Sequence, residues 1–535
     1  MDSNSRKIFL SLLLSAGFLL FFFNLGGRDL WDPDETRYAL VAREMREGGN
    51  WILPHLNGAL YAEKPPLFFW LVNLSVFFLG EDSEFSNRLP SALAGLMTLV
   101  VTFLMGERLF NTRAGFLSGL VLASCFLFPH LSRWMMLDSL FTLLFLLSLF
   151  FLYRGFENEE RRPKDYLFAG FFTGVGVLTK GPAIYLSFPI LFSYALIRKR
   201  AEKAWNRDLF SGFILSVAVV SLWLLPACWI GGDPYRERIL FEQNLGRLAG
   251  SGRHFHPQPI YFYLSRFPLE FLPWSLFLPG AFLWGLREGG PERKASLFLI
   301  VWFAIVFLFF TFSKGKKDNY ILPLYPAAAL MVGALWDGGL GSRERDKKFL
   351  LPLVFLGSFS LLGFAGLVCG IPDRFFPALR AYHSVGLLIG FYLGLGLVLS
   401  TFFSFKRKMR ASFVCLLATF SFLHLHLSHT LPERLNEQRS MKAFSGRVLK
   451  RMEPGDELKV CFFRPAGLIY YTRIPFVEEI RDQRRFQEVF ESPGRVFMVI
   501  QRKDLDQLQK DLKREILPIE EERVWHWDLV LLSNR

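Results

Sequence analysis

The run Ile8–Gly27, IFLSLLLSAGFLLFFFNLGG, carries no charged side chain over twenty residues. As a helix rising 1.5 Å per residue it spans about 30 Å, the hydrocarbon thickness of a bilayer. Leu140–Tyr153, LFTLLFLLSLFFLY, continues the pattern further along. Of 535 residues, 52% are apolar and 60 are phenylalanine, with a mean hydropathy of +0.28. Only helices that satisfy their own backbone hydrogen bonds suit such runs in lipid, so the chain reads as a polytopic, mostly α-helical membrane protein. Arg6 and Lys7 precede the first run and Asn-Leu-Gly-Gly closes it without a small-x-small site. It is expected to be a retained anchor rather than a cleaved leader.

Outward from this run the sequence turns abruptly polar at Leu30–Met45, LWDPDETRYALVAREM. Asp32, Pro33 and Glu35 have the spacing of an N-cap, a proline at the first helical position and a capping-box partner. The helix they begin is expected to end at Gly48-Gly49-Asn50. Asp34 is not needed as a cap. On a helix it shares a face with Arg37 and Tyr38, either as a plain surface ion pair or as part of a site. YAEKPP (Tyr61–Pro66) places Glu63 and Lys64 ahead of a Pro-Pro that sets the start of an apolar helix. SRWMMLDSLFT (Ser132–Thr142) holds Asp138 downstream of Arg133, and LTKGP (Leu178–Pro182) ends a helix at Lys180. Taken singly, Asp138 reads as a helix cap and Lys180 as a snorkelling lysine. Taken together they set carboxylates and cations at one membrane depth, which suits a charged, lipid-linked substrate.

The net charge is +14. Its clusters, ERRPK from Glu160, RKRAEKAWNR from Arg198, REGGPERK from Arg287, GSRERDKK from Gly341 and KRKMR from Lys406, sit between apolar runs. This is the pattern of cytoplasmic loops under the positive-inside rule, and it argues against nucleic-acid binding. WDPDETRY, GRLAGSGRHFHPQ, KGKKDN and everything after about Thr430 then face outward, KGKKDN being basic on the outer side. Parity requires that Leu67–Gly80, LFFWLVNLSVFFLG, does not span, and its fourteen residues are short for a crossing. It is read as a juxtamembrane or re-entrant helix. About thirteen spans result, in a transmembrane domain over 1–430 with an external catalytic loop at 26–66. Residues 431–535 form a soluble α/β domain, in which VFMVIQ (496–501) and VWHWDLVLLS (524–533) read as buried strands and DLDQLQKDLKREI (504–516) as an amphipathic helix.

Five cysteines lie far apart and make neither a disulfide framework nor a metal cluster. His424, His426 and His429, and His254 with His256, are read as polar anchors at the membrane boundary. A metal shared by two histidines one helical turn apart is the alternative.

At these residues the chain resembles the GT-C membrane glycosyltransferases that use polyprenyl-phosphate sugars. They include the protein O-mannosyltransferases and, more similar still, the aminoarabinose transferases that modify lipid A. PDETRYA, GGNWILPHLNG, YAEKPP, RLPSAL, SRWMMLDSLFT, LTKGP, FEQNLGRL, PIYFYLSRFPLEFLPW and FSKGKKDNYILPLYPAAAL follow in the family's order over roughly residues 8–340. The resemblance implies that Asp34 is the principal catalytic carboxylate and Asp138 a second acid. It further implies that Lys64, Arg37, Arg247 and Tyr325 meet the donor phosphate, with Glu35, Tyr38, Glu63 and Lys180 in support. GKKDNY departs from the family in being more basic.

What such a reaction asks of these side chains follows from its chemistry. Breaking the sugar–phosphate C–O bond passes through an oxocarbenium-like state, and the phosphate leaving group needs positive charge more than a proton. Lysine and arginine supply that, and no cofactor is required. A hydroxyl acceptor needs a base, for which Asp34 is suited; an anionic lipid A phosphate needs only orientation. With no covalent step, the anomeric carbon inverts. The expectation is therefore sugar transfer from undecaprenyl phosphate to an envelope acceptor such as lipid A, by a monomer on the outer face of the bacterial inner membrane. Transfer to a protein hydroxyl is the alternative. A transporter would place its charges near the midplane between inverted repeats, and neither is evident here.

Overall fold

The computed structural model describes residues 3–246, 257–340, 347–371, 383–512 and 515–535. It is mostly helical. In chain order it begins with α1 (Ser3–Phe22), α2 (Asp34–Glu47), the hairpin β1 (His55–Leu56) and β2 (Ala59–Leu60), α3 (Leu67–Leu79) and α4 (Glu84–Leu109). There follow α5 (Thr112–Ser124), α6 (Leu127–Ser132), α7 (Leu137–Glu157), α8 (Pro163–Lys180), α9 (Ser187–Ile197), α10 (Ala201–Ala204) and α11 (Arg207–Arg236). The chain divides into two compact units, one of residues 1–23 with 91–428, the other of residues 24–90 with 429–535.

Among the described residues, nine helices are long and apolar enough to cross a membrane, or ten if the bent pair Phe262–Glu270 and Trp274–Arg287 counts as one. The expected non-spanning run is α3, a helix of 13 residues that starts directly after Pro66 and ends at Gly80. Because lipid offers helices no hydrophobic reason to associate, small residues that admit a neighbouring backbone decide much of the packing. A Cβ on Gly170 of α8 would lie 1.9 Å from the carbonyl oxygen of Gly212 in α11. One on Gly212 would lie 2.2 Å from that of Tyr166. Asn111 caps α5 by accepting from the Ala114 N–H at 2.9 Å, and Asn206 caps α11 through Leu209 at 2.8 Å. α7 and α8 run antiparallel, so Asp138 and Lys180 share one end and the basic 160–164 loop lies at the other.

The second unit carries a five-stranded sheet in the order β4 (Glu478–Ile480), β3 (Glu457–Cys461), β5 (Val496–Gln501), β7 (Trp527–Ser533), β6 (Glu520–Val524). β3 pairs parallel with β4 and β5, and β7 antiparallel with β5 and β6. VFMVIQ is buried along nearly its whole length, as expected of a central strand. VWHWDLVLLS is not one strand: Val524 ends β6, Trp525 sits at φ 54° in the connecting turn, and β7 begins at Trp527. A turn that reverses the chain in two residues needs a positive φ, which Trp525 supplies although its residue type gives no turn signal. The amphipathic helix covers Arg502–Leu512 and packs Leu505 and Leu508 into the core with Met498, Ile500 and Val530.

Segments distant in sequence interlock in this unit. The Trp31 indole donates to Asn436 at 3.0 Å, and Arg43 donates to the Tyr470 carbonyl at 2.6 Å. Asn57 accepts from the Val477 N–H at 3.0 Å and returns its own amide to the Val477 carbonyl at 2.7 Å.

Candidate active site

The helix start at Asp34 corrects the capping reading. Pro33 occupies the cap position and no side chain caps the helix. Asp32 instead accepts the Thr36 hydroxyl at 2.6 Å and the Gly467 N–H at 3.0 Å, both on Oδ1. Its Oδ2 is shielded from solvent and takes no hydrogen bond. Burial pushes this carboxyl up to about 6, against the pull of the Thr36 and Gly467 bonds. Glu35 is fully buried and does more than return to the backbone, although it does accept the Trp31 N–H at 3.2 Å. Arg28 donates to it at 2.6 and 2.9 Å, and Arg88 at 2.8 and 3.2 Å. Burial alone would raise the Glu35 carboxyl; the two arginines override it and hold it at about 2. Arg88, from RLPSAL, also donates to the carbonyls of Leu25, Arg28 and Asp29. Glu35 is therefore the peg that holds the 24–35 segment.

With Glu35 and Asp32 turned inward, Asp34 projects from the first turn and forms an ion pair with Arg37 three residues on. Glu63 reaches Arg37 from the other side at 3.3 Å. The guanidinium is thus bracketed by two carboxylates and stacks over Tyr38 at 5.3 Å. Burial opposes its charge, but Tyr61, Tyr38, Asp34 and Glu63 more than offset that and its pKa is raised. Arg37 Nε is buried and makes no hydrogen bond. Lys64, next to Glu63, is buried to 9% exposure. Tyr38 and Tyr61 pack against Phe69 at the start of α3, both at 6.1 Å between ring centroids. The Pro-Pro start of α3 thus fixes the wall against which α2 and the Glu63–Lys64 pair are set.

In the other unit, Asp138 is the second residue of α7 and caps nothing. One of its oxygens pairs with Lys180 at the end of α8; the other accepts Asn319 Nδ2 at 2.9 Å. Lys180 also lies 4.8 Å over the Tyr320 ring. Asn319 and Tyr320 belong to GKKDNY, a segment whose basic residues stand out in the sequence but which supplies a polar partner to Asp138 and a ring beneath Lys180. Tyr325 is fully buried at a helix start, its hydroxyl donating to Glu270 at 3.4 Å. Arg133 donates to the Leu20 carbonyl at 2.9 Å. His424 is buried with its Nε2 3.0 Å from the Cys125 carbonyl. Arg247, His254 and His256 lie outside the described residues. Among the described residues, no three histidine, cysteine or acidic side chains are grouped as a metal would need.

The family model for dolichyl-phosphate-mannose-protein mannosyltransferases matches residues 63–229. The chain is 33% identical, over 69% of its own length and 67% of the relative's, to an undecaprenyl phosphate-alpha-4-amino-4-deoxy-L-arabinose arabinosyl transferase of Pectobacterium carotovorum. The chain belongs to this arabinosyl transferase family. It is a glycosyltransferase. The Edwardsiella ictaluri transferase of the same name is 29% identical over 84% of this chain and 81% of that one. In fold, the transferase is similar to crystalline ArnT from Cupriavidus metallidurans, solved bound to undecaprenyl phosphate, with a TM-score of 0.80 over 100% of this chain and 99% of that one at 18% identity.

Proposed function

We propose that the enzyme transfers a sugar from a polyprenyl phosphate, undecaprenyl phosphate in the bacterial case, to an anionic envelope lipid of the lipid A type. The observation that carries this reading is the bracketed Arg37 with its unpartnered Nε, set beside Lys64 and Asp34 in the segment shared with the arabinosyl transferases. Lys64 and the Arg37 Nε meet the donor phosphate. As the acceptor oxygen bonds to the anomeric carbon, the C–O bond to phosphate breaks and its electron pair leaves on the phosphate, whose added charge those two cations stabilise. Asp34, fixed by Arg37, faces the acceptor: it takes the proton of a hydroxyl acceptor or orients an already ionised one. One displacement inverts the anomeric carbon, and the step needs no metal. The family resemblance, rather than a shared cavity, is what supports Asp138, fixed by Lys180 and Asn319, as a second acid and Tyr325 and Arg247 as further donor contacts.

Nine long apolar helices, the bent pair counted as one, the shorter apolar helix that contains α9, and α5 and α8 as further crossings make about thirteen. With the 160–164 and 198–207 loops cytoplasmic, residues 24–90 and 429–535 stand outside the inner membrane, and the enzyme works there as a monomer.

Asp34→Asn tests the assignment. The variant should insert at the wild-type level and transfer no sugar from a purified polyprenyl-phosphate donor; transfer at the wild-type rate refutes the role. Mass spectrometry of lipid A from cells with and without the gene names the sugar and the acceptor.

A further inference from the structure

Two cavities of the first unit share Asn206 and Arg207 in their walls. One, of about 390 Å³, lies where α7, α8, α10 and α11 meet and is rimmed by Arg161, Arg162, Lys203 and Arg207. The other, of about 1020 Å³, runs between α9 and α11 and is walled by Phe188, Phe192, Trp205, Phe210 and Phe213. Its far end is closed by a 3.1 Å bond between the hydroxyls of Tyr185 and Ser216. They meet at Asn206 and Arg207, at the end of α7 and α8 opposite Asp138 and Lys180, and neither is lined by a residue of the site described above.

Three carboxylates face the polar cavity. Asp208 is taken up by Arg161 at 2.7 and 2.6 Å, and Glu159 lies 3.5 Å from Arg200 and 4.0 Å from Lys203. That leaves the exposed Glu160 against Arg162 and Arg207, for neither of which an ion pair is found among the described residues. A positively charged mouth thus adjoins an aromatic groove. Trp205 is 81% exposed at their junction, the side chain that membrane proteins favour at the headgroup level. A free anion would use the mouth alone, and an uncharged lipid the groove alone.

We propose that the joined cavities bind a glycerophospholipid with an anionic headgroup, its phosphate on Arg162 and Arg207 and one acyl chain along the α9–α11 groove. Under the sidedness given above this is a lipid of the cytoplasmic leaflet; the site itself stands independently of which sugar is transferred. An anionic lipid there closes the wedge between α9 and α11 and makes bilayer composition part of the fold's stability.

Native mass spectrometry of the purified full-length protein, titrated with phosphatidylglycerol or chain-matched phosphatidylethanolamine, tests this. Phosphatidylglycerol should bind several-fold more tightly. The Arg162→Gln/Arg207→Gln variant should lose roughly fivefold in that affinity per arginine, a larger loss than for phosphatidylethanolamine, with its melting temperature in detergent without added lipid and its sugar transfer unchanged. Millimolar inorganic phosphate should not displace the lipid. Equal binding of the two lipids by the wild type, an undiminished preference in the variant, or displacement by phosphate overturns the proposal. The groove is checked separately with phosphatidylglycerol brominated along its chain. Tryptophan quenching should be smaller in Trp205→Phe than in the wild type, and equal quenching removes the chain from the groove.

Discussion

Three acids within four residues divide into three jobs. Asp34 belongs with Arg37 and the site; Glu35 is spent on Arg28 and Arg88; Asp32 holds Thr36 and Gly467. Their neighbourhood on a helix was legible in the sequence, because a period of 3.6 fixes which residues share a face. Their partners were not, since Arg88 and Gly467 lie 53 and 435 residues away. Lys64→Ala removes the cation proposed to meet the leaving phosphate. It should lower kcat/KM by about 10²-fold, with a rise in donor KM, in a donor titration. Asp32 gives a pH signature. Its carboxyl is lifted from 3.8 to about 6, so the folded state holds the proton more tightly than the unfolded chain. Below pH 3.8 the enclosed group is neutral in both states and costs nothing; between about 4 and 6 stability falls, on the order of 2–3 kcal/mol in all, and then levels. Glu35, held at about 2, behaves oppositely and matters only as pH drops below 4.5. Melting of Asp32→Asn and wild type from pH 4 to 7 should therefore diverge, with the variant flat where the wild type loses stability.

Among the elements, α3 shows where sequence reading works well. Its Pro-Pro start, its short length and its glycine end were all visible, and these features set its bounds. The α8–α11 contact shows where it fails. Gly170 and Gly212 look like two of 43 glycines in apolar segments, and only the approach of the two backbones makes them necessary. Gly170→Val puts its Cβ into the Gly212 carbonyl, and neither backbone has a flexible side chain to move aside. The variant should lower the melting temperature in detergent by well over the few degrees of a surface change, with a matched Phe171→Val control near wild type. The hairpin at Trp525 is hidden in the sequence for a related reason. Turn chemistry is read from glycine, asparagine and aspartate, and a tryptophan in the left-handed region gives no such cue.

At the scale of the whole molecule, the fold class, the family and the order of motifs were readable because apolar length and segment order are one-dimensional properties. The grouping of residues 24–90 with 429–535 was not, because nothing in either segment names the other. A chain ended after Ser428 keeps Asp34, Arg37, Glu63 and Lys64, yet it loses Asn436, Gly467, Tyr470 and Val477, against which their segment is braced. Such a chain should insert into membranes and show no transfer, measured beside the full-length enzyme at matched expression.

That same division sets a timetable. A ribosome making about 5–20 residues each second needs roughly 17–70 s to travel from residue 90 to residue 429. For that interval residues 24–90 wait with Glu35, Arg28 and Arg88 already made and their segment's partners Asn436, Gly467, Tyr470 and Val477 still unwritten. The bracing of that segment is thus acquired late, and a polypeptide interrupted before Val477 lacks at least one of the partners that hold residues 31–57.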